Sequence, residues 1–140
     1  MTTYESDIKS ISSSAELVYG TLSDLRNLQK FQNHPQLAEK LKDMEFSADG
    51  CTFSVEGFGK VGLKIIEKEP FKTIKFETEN APVSVNFWIQ LKEVDSNDTR
   101  MKLTIKAELP TMIKMMVDKK LKEGINMVAD ALSKALSMPQ

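Results

Sequence analysis

The chain has 140 residues, enough for one domain with its own hydrophobic core. Hydrophobic residues make up 41% and charged residues 28% of the chain, which indicates neither disorder nor a membrane span. Its 19 basic and 20 acidic side chains leave a net charge of −1, which excludes a global attraction for nucleic acid or anionic membranes and leaves room only for a local patch.

The single cysteine, Cys51, excludes an internal disulfide framework and a cysteine-based zinc cluster. The first ten residues lack the basic and then apolar build of a signal peptide, and no run of about 18 apolar residues occurs. We therefore expect one domain over residues 1–140, a cytoplasmic location, no integral membrane segment, no nucleic-acid partner, and no metal or cofactor.

The first part of the chain favours one strand followed by helices. Tyr4 to Ile11 alternates weakly, as a strand does. Ser12 to Ser14 supplies N-cap hydroxyls for a helix that reaches about Phe31, with a break near Ser23-Asp24. Gln36 to Lys42 is long enough for a short second helix.

From Met44 onward the apolar residues recur at every second position, the period of a strand with one buried face. Turn residues separate six such stretches. Six strands joined by short turns predict an antiparallel meander with one apolar and one polar face. The predicted strands lie within Met44–Phe46, Cys51–Val55, Val61–Ile65, Ile74–Phe76, Val83–Leu91 and Met101–Leu109.

The last element is an amphipathic helix from Pro110 to Leu136, about 40 Å long. Proline suits its first turn, where the backbone N–H needs no partner within the helix. Apolar residues at three- and four-residue spacing form one stripe that can cover the apolar face of the sheet. The stripe comprises Ile113, Val117, Leu121, Gly124, Ile125, Val128, Leu132, Ala135 and Leu136.

The predicted element order is β-α-α-β6-α, an α+β domain in which a curved sheet wraps around a long C-terminal helix. This order, with the strand phrases EPFKTIKFE (Glu69–Glu77) and VNFWIQL (Val85–Leu91), resembles the START/Bet v 1-like (SRPBCC) helix-grip superfamily, in particular its small single-domain bacterial members. The resemblance covers essentially the whole chain. It implies a cavity between sheet and helix that holds lipids, sterols, polyketides or other apolar molecules, and it carries no catalytic motif.

Three functions follow from this reading. The first is a carrier or sensor that binds a small apolar molecule, and the second is an enzyme of the polyketide cyclase or aromatase kind. The second needs polar groups facing the cavity, and strand parity offers Glu67 and Thr78. The third is a partner-binding module with a filled core. The candidate ligand-binding residues are Phe53, Val55, Leu63, Ile65, Phe76, Phe87, Ile89, Met101, Leu103, Ile105, Met112 and Met116.

Gly57 to Gly62 matches the G-x-G-x-x-G pattern of dinucleotide-binding proteins. That function requires a helix to start near the third glycine, so that its N-terminus meets the pyrophosphate. Leu63-Lys64-Ile65 instead continues as a strand. We therefore interpret the glycines as a hairpin turn and expect no nucleotide site.

Two further residues have chemistry that an enzyme could use. His34 is the only histidine, and Asp24 or Glu39 could orient it as a general base, but its position before a proline in a polar break favours exposure. Cys51 follows a glycine at the start of a strand and has no histidine partner in the sequence. A small, partly buried side chain is the simpler interpretation.

The long helix also carries two sets of residues with open interpretations. The methionines Met112, Met115, Met116 and Met127 either fill the core or line a pocket with adaptable side chains. The lysines form either a solvated face or a site for an anionic head group or membrane surface. They are Lys114, Lys119, Lys120 and Lys122.

Trp88 and Gly124 also allow two interpretations each. Trp88 points to the outer face of the sheet, where cross-strand lysine stems could pack on it or a homodimer could form through it. Gly124 in mid-helix costs up to about 1 kcal/mol relative to alanine, so it either allows a close approach or is simply tolerated.

Overall fold

The computed structural model describes residues 1–33, 43–55 and 59–137. Within them, eight strands form one antiparallel sheet and the helices lie against it, as the α+β prediction requires. The elements are β1 Thr2–Glu5, β2 Lys9–Ile11, α1 Ala15–Leu22, a 3₁₀ helix Leu25–Asn33, β3 Glu45–Phe46, β4 Gly50–Val55, β5 Gly59–Glu69, β6 Thr73–Glu79, β7 Val85–Asp95, β8 Asp98–Ala107 and α2 Thr111–Leu136.

Strands β3 to β8 follow one another across the sheet as the predicted meander, and β1 and β2 both pair with β8 at its far edge. The prediction of one strand from Tyr4 to Ile11 was wrong in this detail. Ser6 uses its side-chain hydroxyl to accept a hydrogen bond from the N–H of Leu103 at 2.9 Å. The pairing with β8 then slips by one residue, and the strand divides into two.

The helical region after β2 breaks where the sequence predicts. The Ser14 hydroxyl caps α1 by accepting from the N–H of Leu17 at 3.2 Å, and a carboxylate oxygen of Glu93 accepts from the N–H of Ala15 at 2.9 Å. The α-helix ends at Leu22, and a 3₁₀ helix follows. The predicted helix Gln36 to Lys42 lies outside the described residues.

The core lies between the inner face of the sheet, α1 and the second half of α2. Ile125, Ala129 and Leu132 of α2 are buried against it. Every fully buried residue of α2 lies in the second half of the helix, and its first half, from Thr111 to Gly124, contains none. The second half of α2 therefore packs into the core, whereas the first half has no buried residue and is held to β1 by a hydrogen bond from the Tyr4 hydroxyl to Asp118 at 2.6 Å.

Candidate functional site

The first half of α2 and the sheet enclose a pocket. The closest contacts of α2 with strands are to β1, β2 and β8, which lie together at one edge of the sheet. Towards β4, β5 and β6 the space under the helix is not filled by other side chains, and a cavity of about 240 Å³ remains there. Ile113, Val117 and Leu121, successive members of the predicted stripe, form its helical wall.

The rest of the lining comes from the sheet and from the turn between β6 and β7. These residues share an apolar character, with one exception in Thr78. They are Phe53, Val55, Val61, Leu63, Thr78, Ala81, Pro82, Val83, Val85, Phe87, Ile105 and Leu109.

The Thr78 hydroxyl is already engaged by the backbone. It donates to the carbonyl oxygen of Val83 at 3.4 Å and accepts from the N–H of Val85 at 3.1 Å, which holds the turn between β6 and β7. The described lining contains no ionisable side chain. The pocket therefore offers apolar contact and no free group for acid–base chemistry.

The structure divides the predicted ligand-binding residues into three groups. Five line the pocket: Phe53, Val55, Leu63, Phe87 and Ile105. Phe76, Ile89, Met101 and Leu103 are buried in the solid core, and Ile65 packs against that core. Met112 and Met116 lie on the surface.

Met112 and Met116 were placed wrongly because each directly precedes a pocket residue, Ile113 and Val117. One step along a helix turns the side chain by about 100°, which carries these methionines away from the sheet. Met112 is 78% and Met116 is 60% exposed. Met115 and Met127 are exposed too, so neither core filling nor pocket lining accounts for the methionines.

The alternation of side chains along the strand also predicted the wrong face for Glu67, which was expected to face the cavity. The pairing of β5 with β6 shifts between Ile65 and Glu67, so that Glu67 stands opposite Lys75 and faces outward. An extra residue at this bulge reverses the alternation beyond it. Thr78 does reach the pocket, as parity predicted.

Several lining residues were not among the candidates although a signal for them existed. Val61, Val85 and Leu109 share the parity of the apolar strand face, and Ile113, Val117 and Leu121 belong to the predicted stripe. Ala81 and Pro82 had been interpreted only as part of a turn, because no sequence pattern shows that a turn folds over a cavity. Val83 was expected at the start of the next strand, which begins at Val85 instead.

The remaining candidates for chemistry lie away from the pocket. Gly59 and Gly62 lie in β5, so no helix starts at the third glycine of the motif. Cys51 is half-buried, and burial raises the pKa of its thiol to about 11, which disfavours the reactive thiolate. His34 lies outside the described residues, among which no three His, Cys, Asp or Glu side chains come together as a metal site requires.

Trp88 on the outer sheet face is half-buried beneath lysines. The ammonium groups of Lys75 and Lys106 lie 5.2 Å and 5.7 Å from the centre of its ring, within cation–π range. This supports packing by lysine side chains. A homodimer contact at Trp88 stays a prediction.

A larger surface depression of about 730 Å³ lies at the other end of β6, where Thr73 forms part of its wall. Most of its lining residues are charged or polar, among them Glu16, Lys72 and Glu93. Glu93 is occupied there in capping α1. The smaller apolar pocket is the better candidate site because it is the one enclosed by the apolar faces of both sheet and helix.

The sheet, the gripped helix and the pocket between them define the START/Bet v 1-like helix-grip fold, and the resemblance found in the sequence is confirmed at the level of the fold. No protein-family model matches the chain, and no curated protein sequence matches it. The solved structures named below are at most 19% identical to this chain, so they show the fold alone.

Three of these structures illustrate the likeness. Norcoclaurine synthase from Thalictrum flavum has a TM-score of 0.73 at 13% identity, over 96% of this chain and 85% of the synthase. The Aha1 dimer from Colwellia psychrerythraea has a TM-score of 0.63 at 19% identity, over 99% and 98% of the two chains. The protein XoxI from Bacillus cereus has a TM-score of 0.63 at 15% identity, over 97% and 96%.

Among the described helices, none combines the length and the apolar character needed to cross a bilayer.

Proposed function

We propose that this protein binds a small apolar or amphipathic molecule in the pocket between the sheet and the first half of α2. The observation that carries the proposal is the cavity of about 240 Å³, whose described walls are apolar and whose one hydroxyl is already hydrogen-bonded. An empty apolar cavity lowers stability, whereas an apolar ligand that fills it gains roughly 0.8 kcal/mol for each CH₂ group removed from water.

The size of the cavity limits the ligand. Pockets for drug-sized molecules typically measure about 300–1,000 Å³, and this one, at about 240 Å³, lies just below that range. A single acyl chain or a small ring system suits it better than a bulky sterol or polyketide. Because no described lining residue can pair with a charge, any polar head group should remain outside the pocket.

Catalysis of the cyclase or aromatase kind is less well supported. Such reactions need a positioned acid or base within hydrogen-bond reach of the reacting atoms. Thr78 is the polar residue among the described lining, and its hydroxyl holds a turn. A carrier or sensor function needs no such group, and a filled-core interaction module would lack the cavity.

The test is to block the pocket from its helical wall. Val117→Trp places an indole in the cavity, and Val117→Asn puts an unpaired amide there with little change in volume. Met127→Trp adds the same indole to the exposed face of the same helix and serves as the matched control, since Met127 is 54% exposed. Binding is followed by the fluorescence of an anilinonaphthalene sulfonate probe, and by its displacement with fatty acids of increasing chain length.

We expect both Val117 variants to lose probe and fatty-acid binding by about tenfold or more, because burying an unpaired polar group or filling the cavity removes about 1.4 kcal/mol or more of binding free energy. The Met127 variant should bind as the wild type does. Native mass spectrometry of freshly purified protein should show a bound apolar species that the Val117→Trp variant lacks. A wild type that binds nothing in either assay, or a Val117→Trp variant that binds normally, would contradict the proposal.

A further inference from the structure

The start of α2 carries three methionines that are largely exposed. Met112, Met115 and Met116 are 78%, 80% and 60% exposed, respectively. They occupy the first two turns of the helix, on the face that points away from the pocket residues Ile113 and Val117. We call these three residues the methionine tip. A group of neighbouring exposed apolar side chains is typical of a surface that contacts another protein or a membrane.

Positive charge follows directly behind the methionine tip. The next turns of the helix carry Lys119, Lys120 and Lys122, and Lys119 is 86% exposed. Its ion pair with Glu123, at 3.9 Å, is long and solvent-exposed and therefore weak. The first half of α2 holds four lysines against two acidic residues, although the whole chain has a net charge of −1.

The spacing of these two features matches the interface of a lipid bilayer. Lys119 lies three to seven residues beyond the members of the methionine tip, or about 5–10 Å along the helix axis. Amphipathic helices that lie in the membrane interface bury their apolar face about 5–10 Å, with lysines at the level of the head groups. A helix that enters by its end, as proposed below, meets the same depths along its axis. The methionine tip, Lys119 and Lys120 follow one another in this order, and a further exposed lysine, Lys114, lies within the tip.

The pocket lies under the same turns of α2, on the opposite face of the helix. Ile113 and Val117, which alternate with the methionines along the helix, line the pocket. The uncharged turn from Ala81 to Val83 lines it as well. The exposed residues Glu79 and Glu108 lie near the same end of the domain and oppose contact with an anionic surface. Contact through the methionine tip should therefore be reversible and sensitive to salt.

We propose that the methionine tip inserts into the surface of an anionic lipid bilayer while Lys119 and Lys120 contact the lipid head groups. The pocket then opens close to the membrane, so its ligand enters from or leaves to the bilayer. This last step rests on the proposed binding function, whereas the docking itself does not. A second copy of the chain suits the surface less well, because a two-fold contact would set the same lysines against each other.

Vesicle co-sedimentation at low salt tests the docking. The wild type should bind vesicles of phosphatidylcholine and phosphatidylglycerol and should bind phosphatidylcholine alone much more weakly. Replacing all three tip residues by serine should weaken binding by about tenfold or more, because their apolar side chains no longer enter the bilayer. Lys119→Gln and Lys120→Gln should each weaken it by roughly fivefold and lower its dependence on salt.

Met127→Ser is the matched control, since Met127 is 54% exposed on the same helix but lies three turns beyond the tip. It should leave vesicle binding unchanged. The pocket-blocked Val117→Trp variant should still bind vesicles, which separates failure of docking from failure of the pocket.

Absence of vesicle binding by the wild type, or equal binding by the triple serine variant, would overturn the proposal. So would sedimentation of the free wild type as a dimer that the triple variant loses, because that result assigns the tip to a second copy.

Discussion

Replacing Gly124 with alanine should stabilise the protein, although Gly124 lies half-buried in the middle of its longest helix. A Cβ atom built at this position meets nothing within 4 Å. Glycine is about 0.8–1.0 kcal/mol less favourable than alanine inside a helix, because it loses more backbone freedom on folding. With no steric cost to offset this gain, Gly124→Ala should raise the free energy of unfolding by about 1 kcal/mol.

Gly50 provides the opposite case in the same chain. A Cβ atom there would lie 2.8 Å from the carbonyl oxygen of Leu63, a backbone atom of the neighbouring strand. Strand β4 or β5 must move to accept it, so Gly50→Ala should lower the free energy of unfolding by about 1–3 kcal/mol. The two substitutions add the same methyl group, but their effects on the free energy of unfolding should have opposite signs.

Urea unfolding followed by circular dichroism measures both effects. The Gly124 variant should unfold at higher urea with an unchanged slope, and its melting temperature should rise by about 3–5 °C. Binding of the apolar probe should stay the same. A Gly124 variant that is no more stable than the wild type, or that binds the probe differently, would contradict the prediction that Gly124 is only tolerated in the helix.

Three further predictions concern the hydrogen bond between Tyr4 and Asp118, the Cys51 thiol and the hydrophobic core. The Tyr4 hydroxyl donates to Asp118 of α2 at 2.6 Å, and this bond, with Lys122, holds the pKa of Asp118 below its ordinary 3.8. The contribution of Asp118 to the free energy of unfolding should be present above pH 3.8 and should be lost as the pH falls below that value. Unfolding measured across this pH range should show a smaller loss in Tyr4→Phe than in the wild type. Burial raises the pKa of the Cys51 thiol to about 11. Cys51 should therefore react with a thiol reagent at pH 8 far more slowly in the folded protein than in the urea-unfolded protein. Equal rates would contradict its burial. Leu103 is 0% exposed, so Leu103→Ala should cost about 2–5 kcal/mol in urea unfolding, whereas Leu17→Ala, at a residue 54% exposed, should change stability by less than about 0.5 kcal/mol.

Tyr4 should also make the protein sensitive to alkali. Burial first, and the Asp118 carboxylate second, raise the pKa of Tyr4 from 10.0 to about 12. A raised pKa means that the folded state disfavours the phenolate, so this stability is complete below pH 10 and is lost as the pH rises towards 12. Tyr4→Phe, measured in the same unfolding experiments, should remove this alkaline loss.

The pattern of the sequence was sufficient for the fold because periodicity reports which face of an element is buried. Alternation predicted the strands from β3 to β8, and the stripe from Ile113 to Leu136 predicted α2. Where a local irregularity breaks the period, the same logic fails. The slip after Ser6 divided the first strand, and the bulge before Glu67 turned that carboxylate outward.

The sequence by itself determined that an apolar sheet face and an apolar helix stripe must meet, since each would otherwise remain in water. Only the tertiary structure decided where they meet closely. The second half of α2 packs near the edge formed by β1, β2 and β8, and this leaves Phe53 and Val117 at a cavity while Met101 and Leu103 lie in solid core. All four belong to the same kind of apolar pattern. The distance between helix and sheet depends on contacts between residues far apart in the chain, and no local period records it.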